Sequence, residues 1–224
     1  MNLIRIFTTA FTLSLMTISC LGQTTFYAAD YSINKEKAQD QYYKVEQNKD
    51  TIIIQERGIF LTNPSIYAFS ESKMDSLGYI SIEIAFDNGE IKSNVTVNRA
   101  SHNNKLYYSF LNGKLVDSLM IADSVTLLFD GPNPTFDALN SRFLQHNKTE
   151  SVTLGLINWI SGTLSTEQAY YIIGKSEVAI HKKETKRISF LFLNENDILP
   201  HSCYQNKESY KFRKVETLPI QLKK

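Results

Sequence analysis

Apolar residues return at every second position over much of the chain. In the stretch YISIEIAF, Ile80, Ile82, Ile84 and Phe86 fall on one side of an extended backbone, while Ser81, Glu83 and Ala85 fall on the other with Tyr79. That period of two marks a half-buried strand of an antiparallel sheet. The same reading places strands at 42–47, 51–57, 94–99, 105–111, 114–120, 124–129, 151–159, 168–173, 177–181 and 187–193. Asn88-Gly89 and Asn112-Gly113 lie between strand-like segments and predict two hairpins, because both residue types tolerate positive φ. Segments beginning Tyr42-Tyr43, Tyr107-Tyr108 and Tyr170-Tyr171 echo one another, each a tyrosine pair in a strand followed by a polar turn. Adjacent residues of a strand face opposite ways, so each pair gives both faces of the sheet a ring. The echo reads either as the strand propensity of tyrosine or as a duplicated sheet unit.

One segment breaks the period. In GPNPTFDALNSRFLQH, 131–146, Asn133 is a good N-cap, Pro134 suits the first helical position and Asp137 lies near the positive end of the dipole. Phe136, Leu139, Phe143 and Leu144 then share one stripe at helical spacing. A single amphipathic helix is predicted over 133–146. It either plugs the sheet and completes the core or forms the wall or lid of an apolar cavity, and both bury the same stripe.

In SVTLGLINW, Val152, Leu154 and Leu156 occupy one face, and Thr153, Gly155, Ile157 and Trp159 the other. In RISFLFL, both faces are apolar, with Ile188, Phe190 and Phe192 opposed to Leu191 and Leu193. Such a strand has to be covered on both sides, by a second layer, by curvature of its own sheet or by a ligand. The predicted fold is mainly β: a large curved antiparallel sheet, a half-barrel or open barrel, with one interposed amphipathic helix.

The N-terminus differs from the rest. Arg5 is followed by an uncharged stretch from Ile6 to Ile18 and then by the small residues Ser19 and Gly22, the layout of a secretory signal peptide. It is shorter than the roughly 20 apolar residues of a membrane-spanning helix. The expected organisation is a signal at 1–19 (to 22 for an ordinary signal peptidase), a tether at 20–30, one β-rich domain at 31–215 and a tail at 216–224. The chain has 24 basic and 23 acidic residues, and Arg5 is the only charge in the signal. A balanced mature chain without a basic block gives no reason to expect nucleic acid or polybasic docking on an anionic membrane. Cys20 and Cys203 are the only cysteines, so no disulfide framework is available.

Candidate chemistry is sparse. His102, His146, His181 and His201 have no metal-ligand spacing, and there is no nucleophile elbow, phosphate loop or dinucleotide fingerprint. His201 and Cys203 are two apart and would share a face as a thiolate pair, but Pro200 and a polar tail favour a surface loop. Asp130 and Asp137 flank the turn before the helix, where turn formation and capping explain them. The sequence leans away from an enzyme and calls for no cofactor and no metal.

Thr17-Ile18-Ser19-Cys20 resembles the lipobox of bacterial lipoproteins, in which a small residue precedes a cysteine that is acylated and becomes the N-terminus; Thr17 departs from the usual leucine. The resemblance implies lipidation at Cys20 and a membrane anchor. The alternative is ordinary cleavage after Gly22, leaving Gln23 first. Either way the mature protein is expected outside the cytoplasm, periplasmic, anchored to the outer membrane or secreted. The mature part is similar, by architecture only, to the curved half-barrel carriers of bacterial envelopes, which hold acyl chains between a sheet and a helical lid. That likeness implies a non-catalytic envelope protein binding a lipid or other apolar ligand, with Phe136, Leu139, Phe143 and Trp159 as cavity-lining candidates. Two other readings stay open: an envelope scaffold with a filled core, and a hydrolase built from distant residues.

Overall fold

Fifteen strands hydrogen-bond into one sheet in the computed structural model, which describes residues 22–61, 63, 65–122, 125–131, 134–147, 151–194 and 197–223. The signal, Cys20 and Asn133 lie outside the described residues, as does the side chain of His146. Chain order gives β1 (Gln23–Ile33), β2 (Glu36–Gln47), β3 (Ile52–Phe60), β4 (Tyr67–Asp75), β5 (Gly78–Asp87), β6 (Lys92–Ala100), β7 (Asn103–Leu111), β8 (Lys114–Met120) and β9 (Leu127–Asp130). After the helix α1 (Pro134–Asn147) come β10 (Ser151–Ile157), β11 (Leu164–Ile173), β12 (Glu177–Lys182), β13 (Ile188–Phe192), β14 (Ser202–Gln205) and β15 (Glu208–Val215). In space the order runs from β8 back to β1, then β15 back to β9. Two meanders, antiparallel except for the β9–β10 pair, are thus stitched together by the first and last strands, with Phe26 opposite Val215 and Ile33 opposite Glu208.

The mainly β class and the curved, unclosed sheet match the sequence expectation. The edge strands β8 and β9 are not paired with each other, yet the sheet curls until residues from its two ends touch. Leu164 N–H donates to Asp117 Oδ2 (2.7 Å) and Ser109 Oγ to the Gly162 carbonyl (2.6 Å), tying the β10–β11 turn to β7 and β8. The Phe129 ring of β9 meets Tyr79 and Tyr107 edge-on at 5.7 and 5.0 Å.

The helix exists because β9 and β10 run parallel. A parallel pair cannot be joined by a hairpin and needs a crossover, which α1 supplies. It passes through the concave side of the sheet, and residues 134–141 are all buried. A helix buried all round belongs to a core, so the first two turns of α1 plug the sheet, while Arg142 and Phe143 beyond them are half-buried. Its polar residues are accommodated in place: Tyr79 Oη donates to Asn140 Oδ1 (2.9 Å), and Asn140 Nδ2 donates to the Phe129 carbonyl (2.9 Å) and to Tyr171 Oη (3.2 Å).

Several local expectations are corrected. The tether expected at 20–30 is mostly strand, since β1 begins at Gln23. Strands β1, β4, β14 and β15 and the first half of β2 are absent from the sequence reading, and the surface loop expected around Pro200 to Cys203 gives way to β14, followed by β15. In β5 a bulge pairs Met74 with Tyr79, shifting the phase so that Tyr79 turns into the core and Ile80 stays half-buried. Asn112 and Gly113 both take positive φ, as a tight hairpin requires; in the turn after β5 only Gly89 does, and that loop is longer. Residues 216–223 are no free tail: Leu218 and Leu222 pack on Tyr67 and Phe69 over the outer face of the sheet. Phe190 and Phe192, by contrast, have no such cover among the described residues and are 48% and 39% exposed.

Candidate functional site

A cleft of about 230 Å³ opens on the concave side beyond the N-terminal end of α1. Its walls come from strand alternation. On β1 and β15, Tyr31 and Tyr210 are cross-strand partners with ring centroids 4.6 Å apart. Facing them across the cleft, Phe86 of β5 meets Trp159 from the β10–β11 turn edge-on at 4.6 Å. Ile84 and Ala68 complete the apolar surface.

The floor is polar. Gln39 and Gln41 of β2, Glu56 of β3 and Ser70 of β4 point inward in neighbouring rows, and all four are buried. Thr135 Oγ1 of α1 donates to Glu56 Oε2 (3.1 Å), and the Tyr43 hydroxyl donates to Gln41 Oε1. Burial, reinforced by the Glu56 carboxylate, pushes the Tyr43 hydroxyl well above the ordinary tyrosine range. Burial and then Glu208 push Tyr31 up to about 12. Tyr210 is raised for the same reason, burial first and Tyr31 next. These tyrosines are neutral donors at physiological pH, and the floor can both donate to and accept from a ligand's polar group.

Beside the cleft lies a sealed cluster of charge. Lys182 Nζ of β12 stands 2.7 Å from Asp130 Oδ1 and 3.2 Å from Asp137 Oδ1. Burial opposes the charge on Lys182, but Asp137 and Asp130 together outweigh it and raise its pKa. The ammonium therefore stays protonated and is no general base. Burial raises the Asp137 carboxyl, Lys182 draws it back and Asp130 pushes it up again. Cys203 is buried in β14, and burial pushes its thiol far up, with Asp137 adding to the shift. His201 remains exposed, and the surface loop expected around Cys203 is instead a strand that holds an inert core thiol. Among the described residues, no group of three or more His, Cys, Asp and Glu is placed to hold a metal ion.

The four cavity candidates from the sequence do not converge. Trp159 borders the cleft just described. Leu139 and Phe143 border a different one, about 300 Å³, at the other end of α1 beside the β2–β3 and β4–β5 turns. Phe136 is wholly buried, its ring stacked on Tyr79 and lying where a side chain on Gly131 would otherwise be. The polar floor was missed because inward-facing glutamines and serines look like a solvent face in an alternating pattern. The available signal was phase: Gln39 and Gln41 continue the row of Tyr43 and Val45, and Glu56 that of Ile54.

No known protein family and no curated protein sequence matches the chain. Among solved structures, it is similar to a β-barrel-like protein of the DUF1849 domain of unknown function from Brucella abortus, at 10% identity, over 87% of this chain and 96% of that one, with a TM-score of 0.41.

Proposed function

We propose that this is a non-catalytic cell-envelope protein, anchored by acylation of Cys20, that binds a small apolar ligand with a polar end in the cleft between Trp159 and Tyr31. The observation that carries the reading is the combination of aromatic walls with a convergent hydrogen-bonding floor, the usual composition of a small-molecule site. The volume supports a modest ligand: a cavity of ~150 Å³ already holds benzene, and this one is about 230 Å³. With α1 filling the middle of the concave side, a ring or short chain fits better than a full acyl tail. The apolar part would lie between the Trp159–Phe86 and Tyr31–Tyr210 pairs, and the polar end would meet Gln39 and Gln41.

Trp159 is the sole tryptophan, so its emission reports on the cleft directly. Titration with octanoate, indole and 2-naphthol should shift or quench that emission, with matching heats by calorimetry. Ala68→Phe, which places a ring in the cleft, should abolish both signals in a protein that still gives the native circular dichroism. No response to any probe, or an unchanged response in folded Ala68→Phe, would sink the reading. Mass spectrometry of the full chain expressed in a bacterium tests the anchor separately: a mass starting at Cys20 plus acyl groups supports it, and one starting at Gln23 overturns it.

A further inference from the structure

The outer face of β11–β14 carries a continuous apolar patch. Register aligns Ile172, Ala179, Phe190 and Tyr204 in one row across four strands, with Tyr170, His181 and Ile188 in the next. Ile172 is 71% exposed and Tyr170, Ile188, Phe190 and Tyr204 are each above 40%. Exposed side chains of this size in contiguous rows mark a contact surface rather than scattered solvent-facing residues. The patch lies on the convex side, so it cannot enclose a ligand, and among the described residues nothing packs over it as Leu218 and Leu222 do over Tyr67 and Phe69.

The rim indicates what covers it. Lys175, Lys183, Lys186, Lys207 and Lys211 are exposed on the strands and turns around the rows, against the exposed acids Glu177, Glu184 and Asp30, the last the cross-strand neighbour of Lys211. The linear sequence has no basic block; folding four strands side by side assembles one. Aromatic and aliphatic side chains ringed by cations suit the headgroup region of an anionic bilayer, where the rings enter the interface and the lysines remain at phosphate level.

We propose that the outer face of β11–β14 is a docking surface for an anionic lipid bilayer, acting independently of any acyl anchor at Cys20. The test uses the chain from Gln23 to Lys224, which holds all fifteen strands and α1 and lacks Cys20, so the anchor cannot contribute. This protein should co-sediment with vesicles of phosphatidylcholine plus phosphatidylglycerol, less with phosphatidylcholine alone, and progressively less as salt rises. Phe190→Ser with Phe192→Ser should weaken partitioning at least about tenfold, and Lys183→Glu or Lys186→Glu about fivefold or more each. Leu115→Ser with Met120→Ser, on the exposed edge strand β8, should change nothing. Circular dichroism and Trp159 emission verify that each variant is folded. Absence of binding to the anionic vesicles, or equal binding by the folded Phe190→Ser/Phe192→Ser variant, overturns the proposal. A dimer in light scattering that dissociates in that variant, with no vesicle binding, would assign the face to a second copy of the chain instead.

Discussion

Lys182 on β12 and Asp137 in the first turn of α1 form an ion pair sealed inside the sheet, and Asp130 adds a second carboxylate to the same ammonium. The three groups lock the plug helix to the wall behind it. Removing the cation strands two buried carboxylates. Lys182→Met should therefore lower the unfolding free energy by about 3–5 kcal/mol, read from urea denaturation followed by circular dichroism.

The same cluster carries one more negative than positive charge when fully ionised, and Asp137 bears the strain. Burial holds its carboxyl above the ordinary range in the folded protein. The folded state thus keeps a proton that the unfolded chain releases near pH ~3.9. This group's contribution to stability falls as the pH climbs from that value through the raised folded pKa. Asp137→Asn should flatten the dependence of Tm on pH over that window and should not lower Tm at neutral pH. A steeper pH dependence, or a large loss at neutral pH, would show that the ionised carboxylate is needed.

Asp75 behaves in the opposite sense. Arg99 reaches both its oxygens, at 2.9 and 2.5 Å, and this hydrogen-bonded pairing lowers the carboxyl pKa. Its stabilisation is complete above the unfolded pKa of ~3.9 and is lost as the pH falls through the lowered folded value. Asp75→Asn should cost about 1.5–3 kcal/mol at neutral pH and progressively less in acid, measured by urea melts across the acid range.

The alternating strands at 80–86, 94–99 and 105–111 and the helix around Phe136 were legible because their apolar residues keep one period and their turns carry Asn-Gly or Pro. Legibility failed where polar side chains face inward. Gln39, Gln41, Ser70 and Ser72 are buried because neighbours across the strands satisfy or surround them, and no single strand announces that. β15 fell inside the expected β-rich domain without being placed as a strand: Tyr210 and Phe212 alternate with Lys211 and Arg213, a readable but short and highly charged pattern. Of the candidate site, Trp159 was visible as a lone large ring ending a strand. Its partners Tyr31, Phe86 and Tyr210 come from strands far apart in the chain, and only the pairing of β1 with β15 brings the two tyrosines together. The bare rows around Phe190 were half anticipated, since a strand apolar on both faces demanded cover; the outward row has none among the described residues.

Cys203 provides a simple probe of the folded core. Its thiol is buried and held protonated, and thiolate is the reactive form. In the chain starting at Gln23 it is the sole cysteine. It should resist 5,5′-dithiobis(2-nitrobenzoic acid) at neutral pH for as long as the sheet is intact and react fully in urea. Rapid modification of the native protein would contradict the placement of β14.

The seam between β1 and β15 has a consequence for how the chain is made. Synthesis delivers β1 first and β15 nearly last, so the strand in the middle of the finished sheet waits through almost the whole translation with one row of amides and carbonyls unpaired. Contacts this distant in sequence form late. Until the last strand arrives, the nascent chain presents a template on which another copy could add, and a nonsense codon just before Glu208 would leave the two half-sheets without their hydrogen-bonded seam, held together only by α1 and by contacts such as Leu164 with Asp117.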